Sequence, residues 1–156
     1  MTKHALNAYL ATCVSFGNEI GNICELVGAD ALKVAEALQS DSRIGKKAPL
    51  KPGLGFAGGT LARDIKVLRG LSEKLGYEAP LVKGVWAVNT QQNKSVATKL
   101  ERILGSLKSR TIGVLGLTYK PGTSTLRRSP SLEIIEDLNQ RGATVKSFDP
   151  KADLEE

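Results

Sequence analysis

The stretch Pro52–Asp64, PGLGFAGGTLARD, decides how this chain is read. Gly53, Gly55, Gly58 and Gly59 let a backbone reach positive φ and approach a ligand closely. A loop that only turns the chain needs fewer glycines. Thr60, Arg63 and Asp64 follow at once, where a helix start offers free N–H groups to an anion or a polar sugar. Asp64 in that first turn either compensates the helix dipole or serves as a carboxylate that activates water.

Upstream of the loop, apolar residues recur at steps of three and four: Leu6, Tyr9, Leu10, Cys13, Phe16, Ile20, Ile23, Cys24 and Val27. The period predicts a long amphipathic helix from Thr2, ended by Gly28. Asp30 caps a shorter helix, ALKVAEAL, and Ser40–Gly59 reads as loop. Downstream, a third helix starts near Thr60 and stops at Gly76. Pro80 opens a fourth, running to Leu107, whose length of roughly 40 Å suits a link between domains or an extended partner surface.

The pattern then changes. RTIGVLGL and ATVKSFDP read as strands around a helix, SLEIIEDLNQRG, with Ser129 as its cap, Pro130 at its first position and Glu133 within capping reach. Strand, helix and strand make a βαβ unit with parallel pairing. Two strands do not make a stable sheet alone, so this part reads as the opening of a larger α/β domain, cut off or completed by another chain.

Charge and composition exclude other classes. Lys and Arg outnumber Asp and Glu by 22 to 16, a net charge of +6. The basic residues are spread out and lack base-stacking aromatics, which speaks against nucleic acid and leaves a small anionic ligand or an ordinary solvated surface. No apolar run spans a membrane and no signal-peptide pattern opens the chain, so the expected location is cytoplasmic. Cys13 and Cys24, both expected to be buried, do not form a disulfide framework, and one histidine makes a zinc site improbable.

Two further groups carry chemistry. Lys3 and Asn7 share a helix face, a cation beside an amide suited to an oxyanion or a water, or else two solvated side chains. VLGLTYKPGT runs a strand into a glycine turn as nucleotide-binding folds do, without the full G-x-G-x-x-G spacing. Lys120 and Arg127 after it suit phosphates, or belong to a solvated basic turn.

These stretches, with KHALNAYLATCVSFGNEIGNICE, DSRIG, RRSPSLEIIEDL and GATVKSFDP, resemble the UDP-glucose/GDP-mannose dehydrogenase family from Thr2 to Pro150. The resemblance implies a mainly α central dimerisation domain over 1–108, like the C-terminal domain of 6-phosphogluconate dehydrogenase. A partial Rossmann-like βαβ segment of the nucleotide-sugar-binding domain would follow over 109–156. It implies NAD-dependent oxidation of a sugar C6 alcohol to the acid in polysaccharide biosynthesis, by a homodimer formed through the long helices. By position, Lys3 resembles the oxyanion-stabilising lysine, Asn7 the water-orienting asparagine and Asp64 the aspartate that assists hydrolysis. Arg43 resembles an arginine that reaches the neighbouring subunit's sugar. Gly55, Phe56 and Gly58 resemble the loop against the sugar, Lys120 a substrate contact and Arg127 a cofactor contact.

The chain departs from the family pattern. Aligned without a gap, the family's G-F-G-G-S-C-F-P-K-D falls on Gly55–Asp64, so its nucleophilic cysteine falls on Thr60, a poor nucleophile unless a base activates it. Ser124-Thr125 and Arg128 replace acidic residues. No dinucleotide-binding fingerprint occurs, so this chain is expected to be inactive alone and to be a fragment of a longer protein. The alternative is a catalytically degenerate homodimerisation or regulatory module.

Overall fold

The computed structural model describes residues 1–57 and 59–152. The element order is α1 (Thr2–Val27), α2 (Ala31–Ser40), α3 (Leu61–Lys74), α4 (Pro80–Leu104), β1 (Thr111–Leu115), α5 (Pro130–Gln140) and β2 (Thr144–Phe148). The mainly helical N-terminal part and the βαβ segment are both as expected. The chain packs as two units, one over Met1–Thr90 and one from Gln91 onward, so the boundary falls within α4.

Helix ends follow local chemistry. Gly28 closes α1 in the left-handed conformation at φ 72°, its neighbour Ala29 donating to the Cys24 carbonyl. Asp30 caps α2 by accepting the N–H groups of Leu32 and Lys33. The fourth helix stops at Leu104, short of the expected Leu107, because Gly105 turns left-handed at φ 79° and Leu107 is needed in the second core. Ser129 caps α5 through Ser131 N–H with Pro130 at its start. Glu133 is not its capping partner: it takes an Asn93 amide from α4 instead.

In the first unit, Ala11, Phe56, Ile65 and Val85 bring α1, α3, α4 and the glycine loop onto one core. Ser15 of α1 donates to the Val85 carbonyl at 3.2 Å. The loop before α3 lies hard against α1. A Cβ at Gly17 would meet Leu50 O at 2.4 Å, and one at Gly21 would meet the Pro52 ring at 2.6 Å. Glycine inside a helix costs roughly 0.5–1 kcal/mol against alanine. Here that cost is offset by the approach of Leu50 and Pro52, which fixes the loop's origin.

In the second unit, β1 and β2 pair in parallel, Thr111 opposite Thr144 through Leu115 opposite Phe148. Ala97, Leu107, Ile134, Leu138 and Ala143 form its core, with Ile112, Val114 and Val145 from the strands. Leu115 and Phe148 at the strand ends remain exposed. Both cysteines are free. Cys24 is buried as expected, but Cys13 is only partly so.

Candidate active site

The glycine loop is held by two asparagines. Asn18 of α1 accepts Gly53 N–H at 2.7 Å. Asn89 of α4 clamps Phe56 from both sides, accepting its N–H at 2.7 Å and donating to its carbonyl at 3.0 Å. Both asparagines are buried. A buried amide that satisfies a loop's backbone makes the loop part of the core, and Phe56 is buried with it. Gly55, at φ 92°, needs glycine's freedom. Gly53 has no positive φ and open space where a Cβ would stand, so neither reason applies there. Gly58 lies outside the described residues.

One helix turn beyond the loop, Asp64 is fully buried at 0 % exposure. Asn7 of α1 donates to its Oδ2 at 2.5 Å, and Arg63 Nε to its Oδ1 at 3.0 Å. His4 Nδ1 lies 3.2 Å from the same Oδ1. The Asn7 amide above all, with Arg63 and His4, holds the Asp64 carboxyl below the usual carboxylate range against the opposing effect of burial. Asp64 is therefore an ionised carboxylate in the core, and its N–H closes the first turn of α3 on the Thr60 carbonyl at 3.1 Å.

The candidates fall into two groups. Asn7 and Asp64 meet directly; Lys3 sits one turn from Asn7 on α1, and Thr60 one turn from Asp64 on α3. Lys3 and Thr60 are both exposed, Thr60 at the N-cap position with no capping bond from its side chain. Arg43 is exposed and its guanidinium grips Asp41, with Nε 3.0 Å from Oδ1 and Nη2 2.7 Å from Oδ2. Lys120 and Arg127 are exposed in the second unit.

Sequence reasoning passed over His4, Asn18, Asn89 and Asp149. Asp149 at the end of β2 accepts the N–H groups of Leu117 and Thr118 in the turn after β1, at 2.7 and 3.0 Å, and of Lys151 at 2.8 Å. These bonds, Leu117 first, hold its carboxyl down to about 2. Thr118 and Thr123 hydroxyls both reach the Lys120 carbonyl, so the basic turn is ordered from within. An Asp directly after a strand was the available signal for Asp149. The asparagines carried none without a partner.

A cavity of about 400 Å³ opens beside the loop, lined by Asn18, Lys46, Lys47, Lys51, Gly53 and Gly55 among others. Asn18 Nδ2, shut off from solvent, has no hydrogen-bond partner. Three lysines lining a cavity together with a buried amide suit an anionic ligand.

Comparison with known proteins gives this geometry its relatives. Residues 1–91 match the central domain of the UDP-glucose/GDP-mannose dehydrogenase family, and residues 113–156 match its UDP binding domain. The chain belongs to this family. A UDP-glucose 6-dehydrogenase of Bacillus subtilis, TuaD, is 47% identical over 97% of the chain, and that of Pseudomonas aeruginosa is 37% identical over 97%. A solved UDP-glucose dehydrogenase from the archaeon Pyrobaculum islandicum has the same fold, with a TM-score of 0.92 at 38% identity over 97% of the chain. The chain spans about a third of each relative's length: 33% of both enzymes and 35% of the solved chain. Among the described residues no helix is long and apolar enough to cross a membrane.

Proposed function

We propose that this protein serves the NAD-dependent oxidation of a nucleotide sugar, UDP-glucose or a near relative, at C6 to the uronate, in polysaccharide biosynthesis. The Asn7–Asp64 bond carries the reading, because it joins the two helix faces that bear all four candidate catalytic residues beside a clamped glycine loop. Lys3 would stabilise an oxyanion at the reacting carbon and Asn7 would orient water. Gly55, Phe56 and Gly58 would lie against the sugar, and Lys120 would meet the substrate. Arg43, exposed and held by Asp41, would reach the sugar of a second subunit.

Thr60 is proposed to stand where relatives keep a thiol. A hydroxyl ionises far less readily, so the aldehyde would be oxidised as its hydrate rather than as a covalent adduct. The nicotinamide cofactor would take the hydride. The described residues do not form its cradle: after β1 the free N–H groups of Leu117 and Thr118 are taken by Asp149. Arg127 remains the proposed cofactor contact of this chain.

Dimerisation is proposed through α1. Leu6, Tyr9, Cys13, Phe16, Ile20, Ile23 and Val27 advance in alternating steps of three and four, the spacing of a two-helix seam. Leu6, Tyr9, Phe16, Ile23 and Val27 of that row are exposed.

The test is NADH formation by the full-length protein with a panel of nucleotide sugars. Turnover with UDP-glucose or a relative supports the reading. A second reading, a degenerate dimerisation or regulatory module, is favoured by the exposed Thr60 at the nucleophile's position. No turnover by the native protein, with turnover restored by Thr60→Cys, would select it.

A further inference from the structure

His4 is the single histidine of the chain and stands between Lys3 and Asn7 in sequence. Its ring is turned so that Nδ1 faces inward, cut off from solvent and 3.2 Å from Asp64 Oδ1, while the side chain as a whole keeps 35% exposure. Nδ1 has no partner in hydrogen-bond geometry as it stands, and Asp64 Oδ1 is within reach of a small ring rotation. The exposed part of the ring is therefore the opposite edge, which carries Nε2.

Asp64 itself is badly placed to take a proton from a substrate water. It is fully buried, and its oxygens are engaged by Asn7 and Arg63. A carboxylate so stabilised is a weak base. A buried carboxylate beside the inner nitrogen of a half-exposed imidazole has another use: it selects the tautomer with hydrogen on Nδ1 and leaves Nε2 as a free acceptor.

We propose that His4 and Asp64 form a carboxylate–imidazole pair whose outward Nε2 is the general base for hydration of the sugar 6-aldehyde. This rests on the nucleotide-sugar reading above and replaces the thiol route that Thr60 does not offer. The step balances without an oxidant. A water oxygen bonds to the aldehyde carbon, the C=O π pair moves to oxygen, and the water's proton passes to Nε2. The proton then returns to the alkoxide, which Lys3 holds meanwhile, giving a neutral gem-diol. Arg63 and Asp64 are the charged groups that meet at the inner side of the ring.

Two measurements test this on the full-length protein. Long-range ¹⁵N–¹H correlation of the lone imidazole is expected to show the Nδ1–H tautomer in the neutral ring; the Nε2–H tautomer would overturn the proposal. The second measurement is ¹⁸O uptake from labelled water into the 6-aldehyde of UDP-glucose. His4→Gln keeps a donor for Asp64 but has no basic nitrogen, so a merely structural role would survive it. Uptake is expected to fall by about 10²-fold, the usual contribution of a positioned base, with UDP-glucose affinity unchanged. Uptake at the native rate in His4→Gln, with UDP-glucose still bound by calorimetry, would sink the base and spare the functional reading. No binding of UDP-glucose by the native protein would sink both.

Discussion

At the scale of single residues, Asp64 is the group on which most depends. Its folded carboxyl is held low chiefly by the Asn7 amide. A carboxyl lowered on folding contributes stability that is fully present above its unfolded value, about 3.9, and is lost as pH falls through the folded value. Removing the amide raises the folded value toward the unfolded one. Asn7→Leu should therefore cost stability at neutral pH and flatten the acid limb of thermal unfolding, followed by circular dichroism, below about pH 4. An acid limb unchanged in Asn7→Leu would mean that the bond does not set the Asp64 charge. Asp149 obeys the same sign: held to about 2, it stabilises the turn after β1 down to roughly pH 4, and that stability fades as pH drops toward 2. Asp149→Ala should unpin Leu117 and Thr118 and abolish that pH dependence, seen as faster amide exchange at those two positions.

At the scale of elements, the glycine loop is built into the core by α1 and α4. Asn89→Leu leaves the Phe56 N–H and carbonyl unpaired and buried, which costs about 1–3 kcal/mol per group left unsatisfied. With two groups orphaned, urea unfolding should report a loss of about 2–6 kcal/mol, and a change below about 0.5 kcal/mol, within the scatter of ordinary surface substitutions, would show that the clamp is incidental. Gly17→Val should destabilise by about 1–3 kcal/mol or more, since its Cβ alone would already overlap Leu50 O. Elements were legible where chemistry is local. Gly28, Asp30 and Pro130 each act on backbone within a few residues, and each marks the end it was expected to mark. The Asn7–Asp64 and Asn89–Phe56 bonds join residues 57 and 33 positions apart, so neither partner announces the other. Glu133 makes the converse point, since a local capping role gave way to a tertiary partner, Asn93, 40 positions away.

At the scale of the whole molecule, the family was legible because several motifs occur in the family's order, whereas the site was legible only in part. Lys3, Asn7 and Asp64 are singled out by resemblance as members of the proposed site; His4 is not, because the use proposed for it depends on Asp64 being buried across the helix pair. The seam on α1 makes its own prediction. Phe16→Glu places a charge in the middle of the proposed two-helix contact and should convert a dimer to a monomer in sedimentation velocity, with helical content retained. A native protein that already sediments as a monomer would remove dimerisation through α1 from the account.

The central claim is that the glycine loop and the Asn7–Asp64 junction form one nucleotide-sugar site. Titrating UDP-glucose into the ¹⁵N-labelled protein and following amide shifts tests it most directly. The prediction is a common saturating shift of Gly55, Phe56 and Thr60 backbone amides and of the Asn7 side-chain amide. Shifts confined to other parts of the chain, or no shifts at all, would contradict it.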